Sequence, residues 1–191
     1  MEKHTVSAVV LAGGYSSRMG RDKAELILNG VKLIEYQVKK LKALGIQDIM
    51  LSGYKGCVEE TRCIPDIYPH RGPLSGVHAC LLAAKNPVCL TVGVDIPLVS
   101  LKTLEDLIRA HTGGVTVLYQ GEKAEPLLAV YDCDLAGKVE KILLSENCSM
   151  KRFFDTVSMK PFRYQEDEFL LSNCNTPEEF DRIKAWASME A

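Results

Sequence analysis

The sequence lacks a charge excess of either sign. Lys and Arg number 23 and Asp and Glu 25 among 191 residues, a formal charge of −2. A chain that holds nucleic acid through its overall field carries a basic excess, so that class is set aside. Any anionic ligand must instead be gripped by a local cluster. Paired cysteines are missing too. Cys57, Cys63, Cys80, Cys89, Cys133, Cys148 and Cys174 are scattered, odd in number and form no C-x-x-C. That argues against a disulfide framework and a zinc knuckle. Cys80 and Cys89 lie inside apolar runs and read as small buried hydrophobes. Free thiols of this kind suit a reducing cytoplasm. No apolar run approaches the ~20 residues of a membrane span. Met1-Glu2-Lys3-His4 leads straight into a strand-like run without a signal-peptide core. A cytoplasmic protein with no membrane or nucleic-acid partner is therefore expected. Repeats, low-complexity tracts and linkers are also absent. His4, His70, His78 and His111 are not spaced as metal ligands, and there is no G-x-S-x-G, so zinc and nucleophilic chemistry have little support.

What is present is an ordinary globular composition, with 47% hydrophobic and 25% charged residues. Val6 to Ala12 is short, apolar and rich in β-branched residues, and it ends at Gly13-Gly14. That predicts a strand buried on both faces of a parallel sheet. Leu33 to Leu44 has helical spacing and stops at Gly45. Strands are expected at Ile46 to Ser52 and Val88 to Val94, and a helix at Leu74 to Lys85. Ser100 can cap a further helix that runs to about His111. This alternation predicts right-handed βαβ units. Val115 to Tyr119 and Pro126 to Tyr131 then flank Gln120-Gly121-Glu122, which predicts an antiparallel excursion. Leu135 to Leu144 and Met150 to Phe154 read as helices and Phe169 to Ser172 as a last strand. Thr176-Pro177-Glu178-Glu179 starts a final helix, with an N-cap, Pro at the first helical position and acid in the first turn. Residues 1–191 are expected to form one α/β domain with a mixed sheet.

The strongest chemical motif runs from Leu11 through Gly13-Gly14 and Arg18-Met19-Gly20-Arg21-Asp22 to Lys23, directly behind the first buried strand. Ligands of open α/β sheets bind beyond the carboxyl ends of the strands. Two glycines let the backbone approach a ligand and present N–H groups to anionic oxygens. Arg18, Arg21 and Lys23 add positive charge on the same loop. A phosphate chain needs both a cradle of donors and cations. The loop is neither a P-loop, since Arg21-Asp22 follows Gly20, nor a G-x-G-x-x-G fingerprint. Asp95 ends the Val88 to Val94 run, so its carboxylate is expected to face the same crevice. Magnesium is commonly held by one or two carboxylates together with substrate phosphates and waters. The competing reading of Asp95 is a turn residue before Ile96-Pro97, and Asp66 in Asp66-Ile67-Tyr68-Pro69 could likewise be a turn former. Gly72-Pro73-Leu74-Ser75-Gly76 opens a helix whose N-terminus could face an anion or a base edge. Asn173 and Asn175 precede the final helix and could support the metal or acceptor side. Glu125-Pro126 could line the acceptor site.

The Leu11 to Lys23 loop resembles the L-A-G-G-x-S-x-R-M-G-x-D-K loop of small nucleotidyltransferases, most of all the molybdenum cofactor guanylyltransferase family. Gly72 to Gly76, Val94-Asp95-Ile96-Pro97 and Asn173 to Glu179 match in order along nearly the whole chain. Some members have two glycines after Arg-Met where Arg21 follows Gly20 here, a difference confined to the loop ahead of Lys23. The resemblance implies a Rossmann-like three-layer sandwich, with a mostly parallel central sheet and an antiparallel excursion. It also implies magnesium-dependent transfer of GMP from GTP to molybdopterin, with release of pyrophosphate. On that reading Leu11, Ala12, Gly13 and Gly14 lie against the nucleotide and Lys23 contacts its phosphates, with Arg18 beside it. Ser52 stands where the family often has Asn near the base or ribose, Asp66 is the acidic nucleotide contact and Asp95 binds magnesium. The acceptor side falls to Asn173 and Asn175. A molybdenum-insertion protein and the recipient molybdoenzymes are the implied protein partners. A cytidylyl or other nucleotidyltransferase and a non-catalytic nucleotide-binding module are the alternatives.

Overall fold

The computed structural model describes residues 5–13 and 22–189. Strand β1 (Val6–Leu11) is buried along its whole length, as its unbroken apolar run requires. It pairs in parallel with β4 (Asp48–Ser52) on one side and β6 (Val88–Gly93) on the other. β5 (Arg62–Ile64) extends the sheet beyond β4. On the far side lie β8 (Lys123–Asp132), β7 (Val115–Gln120) and β9 (Met159–Arg163). The order is β5-β4-β1-β6-β8-β7-β9, and β8 alone runs against the other strands of this seven-stranded sheet. A small hairpin of β2 (Ile27–Leu28) and β3 (Val31–Lys32) stands apart. The expected mixed sheet is therefore present, and its antiparallel excursion is the β7–β8 hairpin.

Side chains alternate across β1 and feed two cores. Val6, Ala8 and Val10 face one layer, where α1 (Leu33–Ala43), α3 (Leu101–Ala110) and α6 (Pro177–Met189) pack. Val9 and Leu11 face the other, with α2 (Pro73–Ala83), α4 (Ala136–Leu143) and the short α5 (Met150–Phe154). This is the three-layer sandwich. In α1, Leu33, Ile34, Val38 and Leu41 are buried at helical spacing, each worth roughly 1.5–3 kcal/mol by area. The helix ends where Gly45 adopts φ +80° and its N–H closes on the Lys42 carbonyl. Ser100 caps α3 by accepting from the Thr103 N–H at 2.9 Å. Among the described residues no helix is long and apolar enough to cross a membrane.

The strand expected at Phe169 to Ser172 is not a strand. Glu168–Leu171 forms a 3₁₀ turn, capped by the Asp167 carboxylate on the Phe169 N–H at 2.9 Å. Three apolar residues in a row suggested a strand, but the preceding Asp closes the backbone on itself. The true last strand, β9, was not anticipated. It is an edge strand with exposed Lys160, Pro161 and Arg163, and Pro is tolerated there. β5 and the β2–β3 hairpin were also missed, being only two or three residues long.

All seven cysteines are free. Burial pushes the thiols of Cys80, Cys133 and Cys174 up to about 12 and raises that of Cys89 as well. Thiols held protonated in this way are poor nucleophiles.

Candidate active site

The chain runs outward from β1 to β4 and β5, then returns to place β6 on the other side of β1. Strand order therefore reverses at the carboxyl end of β1, the place where open α/β sheets bind ligands. Two groups of side chains meet there.

The first group lines a cleft of about 670 Å³, a volume suited to a small-molecule ligand. Leu11, Gly13, Ser52 and Asp66 all line it. The strand ends are held together, since the Ala12 N–H donates to the Ser52 carbonyl at 2.9 Å. Ser52 and Asp66 approach each other at 3.4 Å. Burial raises the Asp66 pKa, and hydrogen bonds from Ser52 and Ser75 oppose that rise. Ala12 packs into the core beside this cleft. Gly14, Arg18 and Arg21 lie outside the described residues.

Sequence reasoning missed Gly53, Lys55 and His70, which also line the cleft. Gly53 has φ +74°, and a Cβ there would meet the Gly13 Cα at 2.3 Å. No other residue fits where the two loops touch. A glycine directly after a predicted strand end was the available clue. Gly76, in the first turn of α2, presses so closely on β4 that a Cβ would meet the Ser52 Oγ at 2.3 Å. The Gly72 to Gly76 stretch thus brings the uncapped N-terminus of α2 to the cleft wall.

The second group is Lys23, Asp95 and Asn175. The Lys23 ammonium lies 3.4 Å from Asp95 Oδ2 and donates to Asn175 Oδ1 at 2.6 Å. Its neighbour Asp22 sets the local backbone, because the Asp22 carboxylate accepts from the Ala24 N–H at 3.0 Å and starts a 3₁₀ turn at Lys23. Asp95 lies just past the end of β6. Its backbone carbonyl accepts from the Cys174 N–H at 2.9 Å, and the Val94 N–H donates to the Leu11 carbonyl at 3.0 Å. Asn175 is steadied from the other side. Glu179 accepts from the Asn175 and Thr176 N–H groups, and Thr176 Oγ1 accepts from the Glu179 N–H. This is a capping box, so the final helix positions Asn175 as well as closing the fold.

Asn173 is separate. It lines a small cleft of about 140 Å³ with Phe169, Ser172, Glu179 and Arg182. Glu125 is buried and paired with Lys123. Next to it the β7–β8 register slips, from Val117↔Ala129 to Leu118↔Glu125. The resulting bulge brings Leu127 over Gly93 at the end of β6, and such bulges recur beside active sites.

A family model described as the MobA-like NTP transferase domain matches residues 8–160. A protein of Opitutus terrae named probable molybdenum cofactor guanylyltransferase is 32% identical, over 93% of this chain and 94% of its own. One of the same name from Carboxydothermus hydrogenoformans is 30% identical, over 93% and 94%. The crystal structure of molybdopterin-guanine dinucleotide biosynthesis protein A from Archaeoglobus fulgidus superposes with a TM-score of 0.80 at 22% identity, covering 96% of this chain and 99% of that one. The loop behind the first strand, the cleft at the switch point and these likenesses agree: the chain belongs to the MobA-like NTP transferase family and is a nucleotidyltransferase.

Proposed function

We propose that the protein transfers GMP from GTP to molybdopterin in a magnesium-dependent reaction in the cytoplasm, with residues 1–191 acting as one unit. The observation that carries this reading is the meeting of Lys23, Asp95 and Asn175 beside the cleft. Three distant segments converge there, and a nucleotide in the cleft that turned its α-phosphate toward them would meet all three. The names of the curated relatives support the guanylyl donor and the molybdopterin acceptor.

Asp66 suits guanine. An ionised carboxylate accepts two hydrogen bonds side by side, and the base offers adjacent N1–H and N2–H donors. Cytosine and adenine lack that pair. Lys23 would place its ammonium on the phosphates as a point charge, with Arg18 adding a second cation from the glycine-rich loop. The acceptor phosphate oxygen attacks the α-phosphorus and forms the new P–O bond. The bond to the β-phosphate breaks, and pyrophosphate leaves with the electron pair. An ionised phosphate needs no general base, so catalysis rests on positioning and charge. Lys23 would stabilise charge as it shifts to the leaving group, and Asn175 would face the acceptor.

Asp95 would hold the magnesium ion. The donor set fits: its carboxylate is part-exposed beside the amide oxygen of Asn175. Among the described residues no cluster of three or more metal-ligating side chains exists. A single carboxylate completed by phosphates and waters is ordinary magnesium chemistry. When bound, the ion supplies Lewis-acid neutralisation of the phosphates. A molybdenum-insertion protein and the recipient molybdoenzymes would be the protein partners. Mass analysis of the product from GTP and molybdenum-loaded molybdopterin tests the reading. The guanine dinucleotide is expected, and a product formed only from CTP, or none with any nucleotide, rejects it.

A further inference from the structure

Helix α1 sends two polar side chains under the segment that carries Asp95. Gln37 is fully buried in the helix's otherwise apolar stripe. Both hydrogens of its amide are used, on the Gly93 carbonyl at 3.0 Å and the Ile96 carbonyl at 2.9 Å. About one turn further, the Lys40 ammonium donates to the carbonyls of Pro97 and Val99. It also sits 4.9 Å from the centre of the Tyr36 ring. The four carbonyls belong to residues 93, 96, 97 and 99, on both sides of Asp95 in the chain.

Both residues are costly choices. A partly buried ammonium whose partners among the described residues are carbonyls and a ring loses hydration without the gain of an ion pair, and desolvation pushes the Lys40 pKa down to about 7. The Gln37 Oε1 is buried without a hydrogen-bond partner among the described residues, a further cost. Elsewhere on this face α1 uses Leu33, Ile34, Val38 and Leu41. What the two polar residues obtain is a fixed course for a loop with few bonds of its own. Pro97 has no N–H, and the Ile96 N–H to Gly93 carbonyl contact is long at 3.5 Å. The loop is otherwise held at Val94 by the Leu11 carbonyl and at Asp95 by the Cys174 N–H. Lys23 meets the Asp95 carboxylate itself, and Val94, Ile96, Leu98 and Val99 pack into the core; the backbone carbonyls on both sides of Asp95 are held by α1.

We propose that Gln37 and Lys40 are positioning residues for nucleotidyl transfer: they grip the Gly93–Val99 segment and fix the Asp95 carboxylate at the height where it holds the divalent cation against the nucleotide phosphates. The inference rests on the metal role given to Asp95 above. Residues that orient a metal ligand typically change metal affinity or activity by 10–100-fold when removed.

The test is a titration of the full chain with Mn²⁺ in the presence of GTP, alongside GTP binding and thermal melting. Lys40→Met and Gln37→Leu keep size and remove the donors, and Lys40→Arg restores them at position 40. Mn²⁺ binding is expected to weaken about tenfold in Lys40→Met and Gln37→Leu. GTP affinity should stay within about twofold, and Lys40→Arg should recover most of the loss. In an Asp95→Ala background Lys40→Met should weaken Mn²⁺ binding no further, because coupled sites are non-additive. Should Lys40→Met fail to fold, Lys40→Leu is read in the same way. Folded variants that melt lower yet keep wild-type Mn²⁺ affinity, or lose GTP and Mn²⁺ affinity equally, overturn the proposal. If Asp95→Ala weakens Mn²⁺ binding while the α1 variants do not, this inference alone fails. If Asp95→Ala leaves Mn²⁺ binding unchanged, the metal reading fails and takes this inference with it.

Discussion

Lys23 is held by two oxygens, Asp95 Oδ2 at 3.4 Å and Asn175 Oδ1 at 2.6 Å, and both residues of the ion pair are partly open to solvent. An exposed pair of this kind adds about 0–1 kcal/mol to stability. Lys23→Met and Asp95→Asn should therefore melt within a few degrees of the wild type. Pyrophosphate release from GTP and acceptor should nevertheless fall on the order of 100- to 1,000-fold, as when a single preorganised charge or donor is removed from a transition state. Wild-type turnover in both variants would refute the roles. Gly53 makes the opposite kind of demand. Gly53→Ala must tolerate φ +74° and a contact with Gly13 Cα that would fall at 2.3 Å. Destabilisation of about 1–3 kcal/mol is expected, seen by thermal melting, together with weaker GTP binding because Gly13 is displaced. Asp95 was legible in the sequence because it ends a predicted strand, and Lys23 because it closes the cationic, glycine-rich loop behind the first strand. Gly53 was legible only as a turn residue, since nothing local records that Gly13 lies against it.

At the scale of elements, the amino ends of three strands are tied by one carboxylate. Asp48, at the start of β4, accepts from Ser7 Oγ on β1 at 2.6 Å, from the Lys85 N–H at 2.9 Å and from both Nε and Nη2 of Arg62 on β5. Burial works to raise its pKa, but the hydrogen bonds and the Arg62 charge outweigh it, and the net shift is downward. A depressed carboxylate stabilises the fold fully above its unfolded value, near 4. That stabilisation is lost as pH falls through the lower folded value. Asp48→Asn should therefore cost about 2 kcal/mol at pH 7, the scale of hydrogen bonds to a charged group. The gap to the wild type should narrow in melts below about pH 4; a constant gap across that range would contradict the assignment. The network escaped the sequence reading because Asp48 and Arg62 sit at unremarkable strand starts. The same holds for β9, whose Pro161 and charged neighbours disguise an edge strand, and for Glu168–Leu171, where Asp167 closes a turn that the apolar run alone could not reveal.

For the whole molecule, ligand binding and folding are linked. A nucleotide that bridges the ends of β1, β4 and β6 stabilises the native state, by about 2.7 kcal/mol at a concentration 100 times its Kd. A chain of this size gains roughly 2–4 °C per kcal/mol. GTP with magnesium should thus raise the melting temperature on the order of 5–10 °C, with CTP well behind. A larger CTP shift would move the assignment to another nucleotidyl donor. The sequence by itself determined the alternating elements, the mixed sheet and the glycine-rich loop. Local pattern also singled out Lys23 on the cationic loop and Asp95 at a strand end, because strand ends and cations on a short loop are local properties of the chain, whereas Ser52 and Asp66 entered as candidates through the family resemblance, alongside Leu11 and Gly13. Tertiary structure alone decided how they combine. It divided them into a cleft with Leu11, Gly13, Ser52 and Asp66 and a charged group with Lys23, Asp95 and Asn175, and it left Asn173 in a cleft of its own. It also brought Gln37 and Lys40 beneath Asp95. Contacts between residues far apart in sequence depend on the order in which strands enter the sheet and on which face a helix presents. No local pattern encodes that order, so a half-buried lysine on α1 reads as an ordinary surface residue until the segment it holds is folded against it.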